Sequence, residues 1–200
     1  MRKQIIILSL TLLSFSSNAI SAPLDCADPK SYIKSVAGEI TAILREPQSS
    51  EKRKAALIKI FDQVIDIDFM SQYTLGHQWA ILAPKDQEEF KQAYREYLSA
   101  TYVHEIKNYT GKETVNVFDA KLLKGQLDAY LISASIVNST SDTDDFSTLV
   151  RKNGACYKIG DVISEGVSIL NTERQDFTSV LNHQGFPQLI GLLNDKAAAQ

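Results

Sequence analysis

Apolar positions follow a helical period at both ends of the chain and a period of two between them. Asp28 followed by Pro29 reads as an N-cap with proline at the first helical position. Tyr32, Ile33, Val36, Ile40, Ile43 and Leu44 then fall on one helical face until 47–50 breaks the pattern. A second helix is predicted from about Glu51, with Leu57, Ile58, Phe61, Val64 and Ile65 on one side. Asp68 is expected to cap a short third helix carrying Phe69, Met70, Tyr73 and Leu75, with Gly76 closing it. Pro84 opens the longest helix. Its stripe of Phe90, Tyr94, Tyr97, Leu98, Thr101, Tyr102, Ile106 and Tyr109 runs to Gly111.

From there alternation takes over. Val115 and Val117 alternate with polar neighbours, 127–137 reads as a long strand, and 146–152 and 155–159 flank Asn153-Gly154. An Asn-Gly pair between two alternating runs predicts a hairpin with a type I′ turn. Val162 to Leu170 is expected as a further strand, with Gly166 at a bulge. Residues 139–145 read as a polar, acidic loop. Helical spacing returns with Phe177, Val180 and Leu181, then, beyond Gly185, with Phe186, Leu189, Ile190 and Leu193. The segment 194–200 is expected to fray. Helices, then a hairpin-connected sheet, then helices is an α+β order. The sheet should be a twisted antiparallel one of four to five strands, with N-terminal and C-terminal helices around it.

The first 22 residues stand outside this pattern. Arg2 and Lys3 precede an apolar run from Ile5 to Phe15, and small residues follow at Ser17, Ala19, Ser21 and Ala22. That is the order of a secretory signal peptide, with cleavage expected between 19 and 22. The run is about half of what a bilayer requires. Asp25 before Cys26 rules out a lipoprotein box. Residues 23–200 are expected to form one domain. The formal charge of −3 becomes about −5 once Arg2 and Lys3 are removed, which argues against nucleic acid and against non-specific binding to anionic membranes. An exported chain can oxidise its two cysteines. Cys26 and Cys156 could therefore pair or stay free, and the sequence leaves both open.

Motifs of catalysis or metal binding are missing from the sequence. His77, His104 and His183 are at least 27 residues apart, unlike the close ligand pairs of metal sites. His104-Glu105 begins like a zinc-protease motif, but Asn108 stands where the second histidine belongs; His104 reads as a helix-surface residue. Ser168 lacks the second glycine of a nucleophile elbow, since position 170 is leucine. It reads as a serine turned to solvent or to a backbone partner. Gly160-Asp161 and Glu165 read as acidic hairpin residues. No glycine-rich phosphate loop occurs. What remains is apolar surface. The stripe through Phe90, Tyr94, Leu98 and Tyr102 is the ordinary mark of a core. However, Ala129, Ser133, Ala134 and Ser135 put small side chains mid-strand, where bulky helices could leave a void.

Two blocks carry a family resemblance. Asp66-Ile67-Asp68-Phe69 leads to Leu75-Gly76-His77-Gln78-Trp79, Ala83-Pro84 through Phe90, Tyr94-Arg95-Glu96-Tyr97-Leu98, Tyr102 and Tyr109. Tyr157-Lys158-Ile159-Gly160-Asp161-Val162 leads to Glu165-Gly166-Val167-Ser168, and Gly185, Leu189, Ile190 and Leu193 follow. In this order they resemble the MlaC (toluene-tolerance auxiliary component) family of periplasmic phospholipid-binding proteins. The chain departs from the pattern at Tyr157, where the family usually has Trp, and at Gly160, where it usually has a large aromatic. Cys26 and Cys156 are not part of that pattern.

The resemblance implies helices around a sheet with a deep apolar pocket between them, no enzymatic activity, and no metal, nucleotide or other cofactor. It implies a periplasmic monomer that shuttles glycerophospholipid between an outer-membrane lipoprotein–porin complex and an inner-membrane ABC transporter, preserving outer-membrane lipid asymmetry, without nucleic acid and without stable membrane insertion. Each methylene exposed to water costs about 0.8 kcal/mol, so an acyl chain costs on the order of 10 kcal/mol. The residues expected to line the pocket are Phe69, Leu75, Trp79, Phe90, Tyr94, Leu98 and Tyr102 from helices, with Val117, Leu131, Val150, Val167 and Phe177. An enzyme on the same scaffold would instead bring Ser/His or His/Asp groups together in the cavity, and a protein-binding adaptor would have a filled interior.

Overall fold

The computed structural model describes residues 23–125, 129–138 and 140–200. The expected signal peptide, its cleavage site, and positions 127–128 and 139 lie outside them. Seven helices and five strands are present among the described residues. The N-terminal helices are α1 (Pro29–Arg45), α2 (Ser50–Val64), α3 (Ile67–Leu75), α4 (His77–Ile81) and α5 (Pro84–Ile106). Strands β1 (Thr114–Leu123), β2 (Ala129–Val137), β3 (Thr143–Asn153), β4 (Cys156–Ser164) and β5 (Val167–Ser168) follow, then α6 (Ile169–Gln184) and α7 (Phe186–Ala198). The strands form one antiparallel sheet in sequence order. This is the expected α+β architecture.

Local chemistry sets most boundaries. The Asp28 carboxylate accepts from the amides of Lys30 and Ser31, closing two of the unpaired donors at the start of α1. Ser49 caps α2 in the same way. The third helix starts earlier than expected. Asp66, not Asp68, accepts from Phe69 N, because the chain leaves the sheet at that point through Asp66 N donating to Ile159 O. The short α4 had no period long enough to announce it.

The structure corrects three sequence expectations. The hairpin at Asn153-Gly154 forms, but Asn153 pairs with Cys156, so Gly154 and Ala155 are the central residues. Gly154 alone has positive φ (59°), the pattern of a type II′ turn with glycine first. The strand expected over 162–170 does not exist as one element. β4 runs on to Ser164, Glu165 and Gly166 turn with φ of 52° and 78°, and β5 has two residues before α6 begins. Gly166 thus sits in a hairpin turn, not a bulge. The cause lies at Asp161, whose carboxylate accepts from Ser168 Oγ (2.6 Å) and from Leu170 N (3.0 Å), while Ser168 Oγ accepts from Asn171 N. Together they start a helix where alternation alone suggested a strand. Finally, 194–198 does not fray but completes α7.

Two layers of core result. α5 packs against α7 and α3 against α6, around Phe90, Tyr94, Leu98, Phe177, Leu189 and Leu193, all essentially inaccessible. α1 lies instead across the sheet, over β1 and β2. Cys26, just ahead of α1, is disulfide-bonded to Cys156 at the start of β4.

An apolar cleft beneath the first helix

Register places Val115, Val117 and Ala120 of β1, Tyr130, Ile132, Ala134 and Ile136 of β2, and Phe146, Thr148 and Val150 of β3 on one face of the sheet. That face meets α1. The N-terminal half of α1 closes down on it: Tyr32 is fully buried and its ring lies 5.7 Å from that of Tyr157. Further along, helix and sheet leave a cavity of about 200 Å³. Ile33, Val36, Ala37, Ile40 and Leu44 of α1 roof it, and Val115, Ile136, Phe146, Thr148 and Ile159 form the floor. Ile106 and Tyr109, at the end of α5 and just beyond it, close one side. Helical spacing on α1 and two-residue spacing on the strands thus aim aliphatic side chains at one space.

Few polar groups reach it. Thr148 Oγ1 is buried without a hydrogen-bond partner among the described residues. Glu113 stands at the edge, where its carboxylate accepts from Thr110 N and Thr110 Oγ1. Desolvation works against its charge, and the Thr110 bonds outweigh it, holding the carboxyl below its usual range. Among the described residues no Ser, His or Asp lines the cleft, and those that do line it do not form the converging groups that acyl or proton transfer would use. Among the described residues no cluster of His, Cys, Asp and Glu is placed to hold a metal ion. No described helix is long and apolar enough to cross a membrane.

None of the twelve residues expected to line a pocket borders this cleft. Phe90, Tyr94, Leu98 and Phe177 are brought together, but as solid packing between α5, α6 and α7, with Phe177 edge-on to both Phe90 and Tyr94. Leu75 is buried and Trp79 half-buried, both beside that core. The Tyr102 ring lies 6.0 Å from that of Phe61 of α2, tilted against it. Val117 and Val150 lie on the cleft's own sheet face, in neighbouring rows. Leu131 points to the opposite face, and Val167 is 59% exposed on β5. Of the small β2 residues, only Ala134 is on the cleft side.

Phe69 has a specific partner in Gly160. A Cβ at Gly160 would meet two Phe69 ring carbons at 2.9 Å. Gly160 is the extra residue of a bulge, since Leu149 pairs with Asp161 and Val150 with Ile159. The Arg151 guanidinium lies over the ring at 4.0 Å from its centroid and reaches Asp66 at 2.6 Å. The ring therefore occupies the space that a side chain at 160 would enter.

Sequence reasoning passed over the roof. Ile33, Val36, Ile40 and Leu44 were visible as a helical stripe, but nothing in a stripe tells whether it meets side chains or a space.

The helical layer holds one further buried acid. Glu173 accepts a hydrogen bond from the Tyr94 hydroxyl and is almost fully inaccessible. Burial pushes its carboxyl up to about 7; the Tyr94 bond opposes this and the Asp161 charge reinforces it.

An α+β chain with an aliphatic cleft between one helix and an open antiparallel sheet is a binding scaffold in form. The family described as MlaC protein matches residues 34–195, and the chain belongs to that family. Among solved structures it is similar to the phospholipid-binding protein from Ralstonia solanacearum, determined in complex with a phospholipid. The TM-score is 0.75 at 18% identity, over 86% of this chain and 98% of that one, a likeness of fold. Comparison with curated proteins gave no match.

Proposed function

We propose that this protein is a periplasmic carrier that takes up glycerophospholipid by its acyl chains and passes it between an outer-membrane lipoprotein–porin complex and an inner-membrane ABC transporter. The observation that carries the reading is the aliphatic cleft between α1 and the sheet, roofed by Ile33, Val36, Ala37 and Ile40. Family membership and the phospholipid held by a protein of the same fold support it. The gain from sheltering methylenes, about 0.8 kcal/mol each, needs only an apolar lining. A cleft whose ionisable lining groups are Glu113 and Tyr109 suits cargo holding better than catalysis. An enlarged cleft would reach Val117 and Val150 first among the residues expected from sequence, because they lie on the same sheet face in the rows next to its floor. Cargo held this way leaves water slowly, so release falls to the membrane partners.

The test is native mass spectrometry of protein purified without detergent, with parallel lipid extraction. Wild-type protein is expected to carry phospholipid. Ala37→Trp, which fills the cleft from its roof, is expected to emerge at least tenfold depleted while retaining a cooperative melt. A lipid-free wild-type protein, or an Ala37→Trp variant loaded as fully as wild type, would remove the basis for the reading.

A further inference from the structure

A second cavity adjoins the cleft and differs from it in chemistry. A groove of about 470 Å³ lies between the N-terminal half of α2, the C-terminal end of α5 and Gln200. It shares Leu44 and Tyr109 with the apolar cleft, so the two spaces meet across these side chains. Arg53, Lys54, His104 and Lys107 line it, and among the described residues no Asp or Glu side chain does. In a chain of net charge −3, such a gathering of basic groups runs against the composition.

Arg53, Lys54 and Lys107 are not spent on internal ion pairs among the described residues. The salt bridges among the described residues use Lys91, Arg95 and Arg151. Arg53 Nε is buried and has no hydrogen-bond partner among the described residues. Lys107 Nζ lies 2.8 Å from His104 Nδ1, a ring nitrogen that also lies 3.2 Å from Gln200 O. A buried guanidinium N–H without an acceptor is costly, and an anion reaching it removes that cost.

We propose that this basic groove binds the phosphate of the lipid head group while the adjoining cleft holds the tails. The inference rests on the carrier reading. A phosphodiester sits directly at the head of its acyl chains, and the shared wall of Leu44 and Tyr109 puts a basic surface at that distance from the greasy one. The planar fork of Arg53 matches phosphate oxygens, and Lys54 and Lys107 add point charges beside it. Inorganic phosphate presents the same oxygens without tails, and the test separates the two.

Protein freed of copurified lipid is titrated calorimetrically with dihexanoyl phosphatidylglycerol, with dihexanoylglycerol, which has the same tails and no phosphate, and with inorganic phosphate. Wild type is expected to bind the phosphatidylglycerol on the order of tenfold or more tightly than the diacylglycerol. That preference should shrink as salt is raised. In Arg53→Gln/Lys54→Gln/Lys107→Gln the preference should fall to within about twofold. Lys52→Gln/Lys59→Gln/Lys85→Gln removes the same charge from exposed positions outside the groove and should keep it. A groove variant that keeps the preference, or a control that loses it equally, overturns the proposal. Inorganic phosphate binding as tightly as phosphatidylglycerol overturns it too, in favour of a free-anion site. Equal binding of both lipids by wild type ends the head-group site alone, whereas binding of neither ends the carrier reading with it.

Discussion

Glu173 shows how a single buried group can set the response of this fold to pH. Its carboxyl is pushed up to about 7 from 4.5, mainly by burial. Between those two values the folded chain holds a proton that the unfolded chain has released, so stability falls as pH rises through that window and the loss is complete above about 7. The full penalty is up to about 3 kcal/mol. Glutamine keeps an oxygen to accept from Tyr94 and carries no charge. Glu173→Gln is therefore expected to raise unfolding stability by roughly 1–3 kcal/mol at pH 8 and by little at pH 5. Chemical denaturation at the two pH values checks this; an equal change at both would mean that the carboxyl is not protonated in the fold. None of this was legible in the sequence. Glu173 looks like one acid of an ordinary amphipathic helix, and only the docking of α6 against α5 places it under Tyr94.

At the scale of elements, legibility followed how local the cause is. The N-cap of α1, the start of α5 at Pro84 and the β3–β4 hairpin depend on residues within a few positions, and all could be read in advance. The strand expected over 162–170 failed because Asp161, across a turn, captures Ser168 Oγ and Leu170 N. The stripe of α5 was read correctly as one face, yet Phe90, Tyr94 and Leu98 pack solidly toward α6 and α7 while Ile106 and the following Tyr109 border the cleft, since a periodic pattern names a face without naming what covers it. The cysteine pair could not be settled from spacing, because the two residues are 130 positions apart. Its effect is local all the same: it fixes the entry of α1 to the start of β4. Closing so long a loop restricts the unfolded chain by roughly 5 kcal/mol in the entropic account, with measured losses of about 2–5 kcal/mol. Cys26→Ser/Cys156→Ser is expected to melt about 5–15 °C lower, with hydrogen exchange rising first in the initial turns of α1. A melting point within about 2 °C of wild type would show that the tie carries no such weight.

For the whole molecule, the size of the cleft decides how cargo can enter. About 200 Å³ is less than the roughly 300–1,000 Å³ that enclose drug-sized ligands, and a two-tailed lipid is no smaller than those. Loading must therefore widen the space between α1 and the sheet. The two ends of α1 are not equally free to move. Its N-terminal end is held by the Cys26–Cys156 bond and by Tyr32 packed on Tyr157, both of which a rigid shift would break. Its C-terminal end has no covalent tie: Arg45 Nε donates to Gly111 O, a contact that water can replace, and Ile43 packs in the core by side-chain contact that can slide. Widening is expected to take the form of a tilt about the disulfide, with α1 parting from the sheet near Leu44 and Tyr109, beside the basic groove. Paired spin labels on exposed positions measure this directly, one at Asp145 of β3 and the other at Lys34 or Glu46. On phospholipid loading the 46–145 separation should lengthen by several ångströms on the scale of a hinge-type closure, and the 34–145 separation should change little. Equal lengthening of both would mean that α1 lifts as a body and that the disulfide is no pivot. An unchanged pair of distances in a lipid-loaded protein would place the cargo outside the cleft altogether.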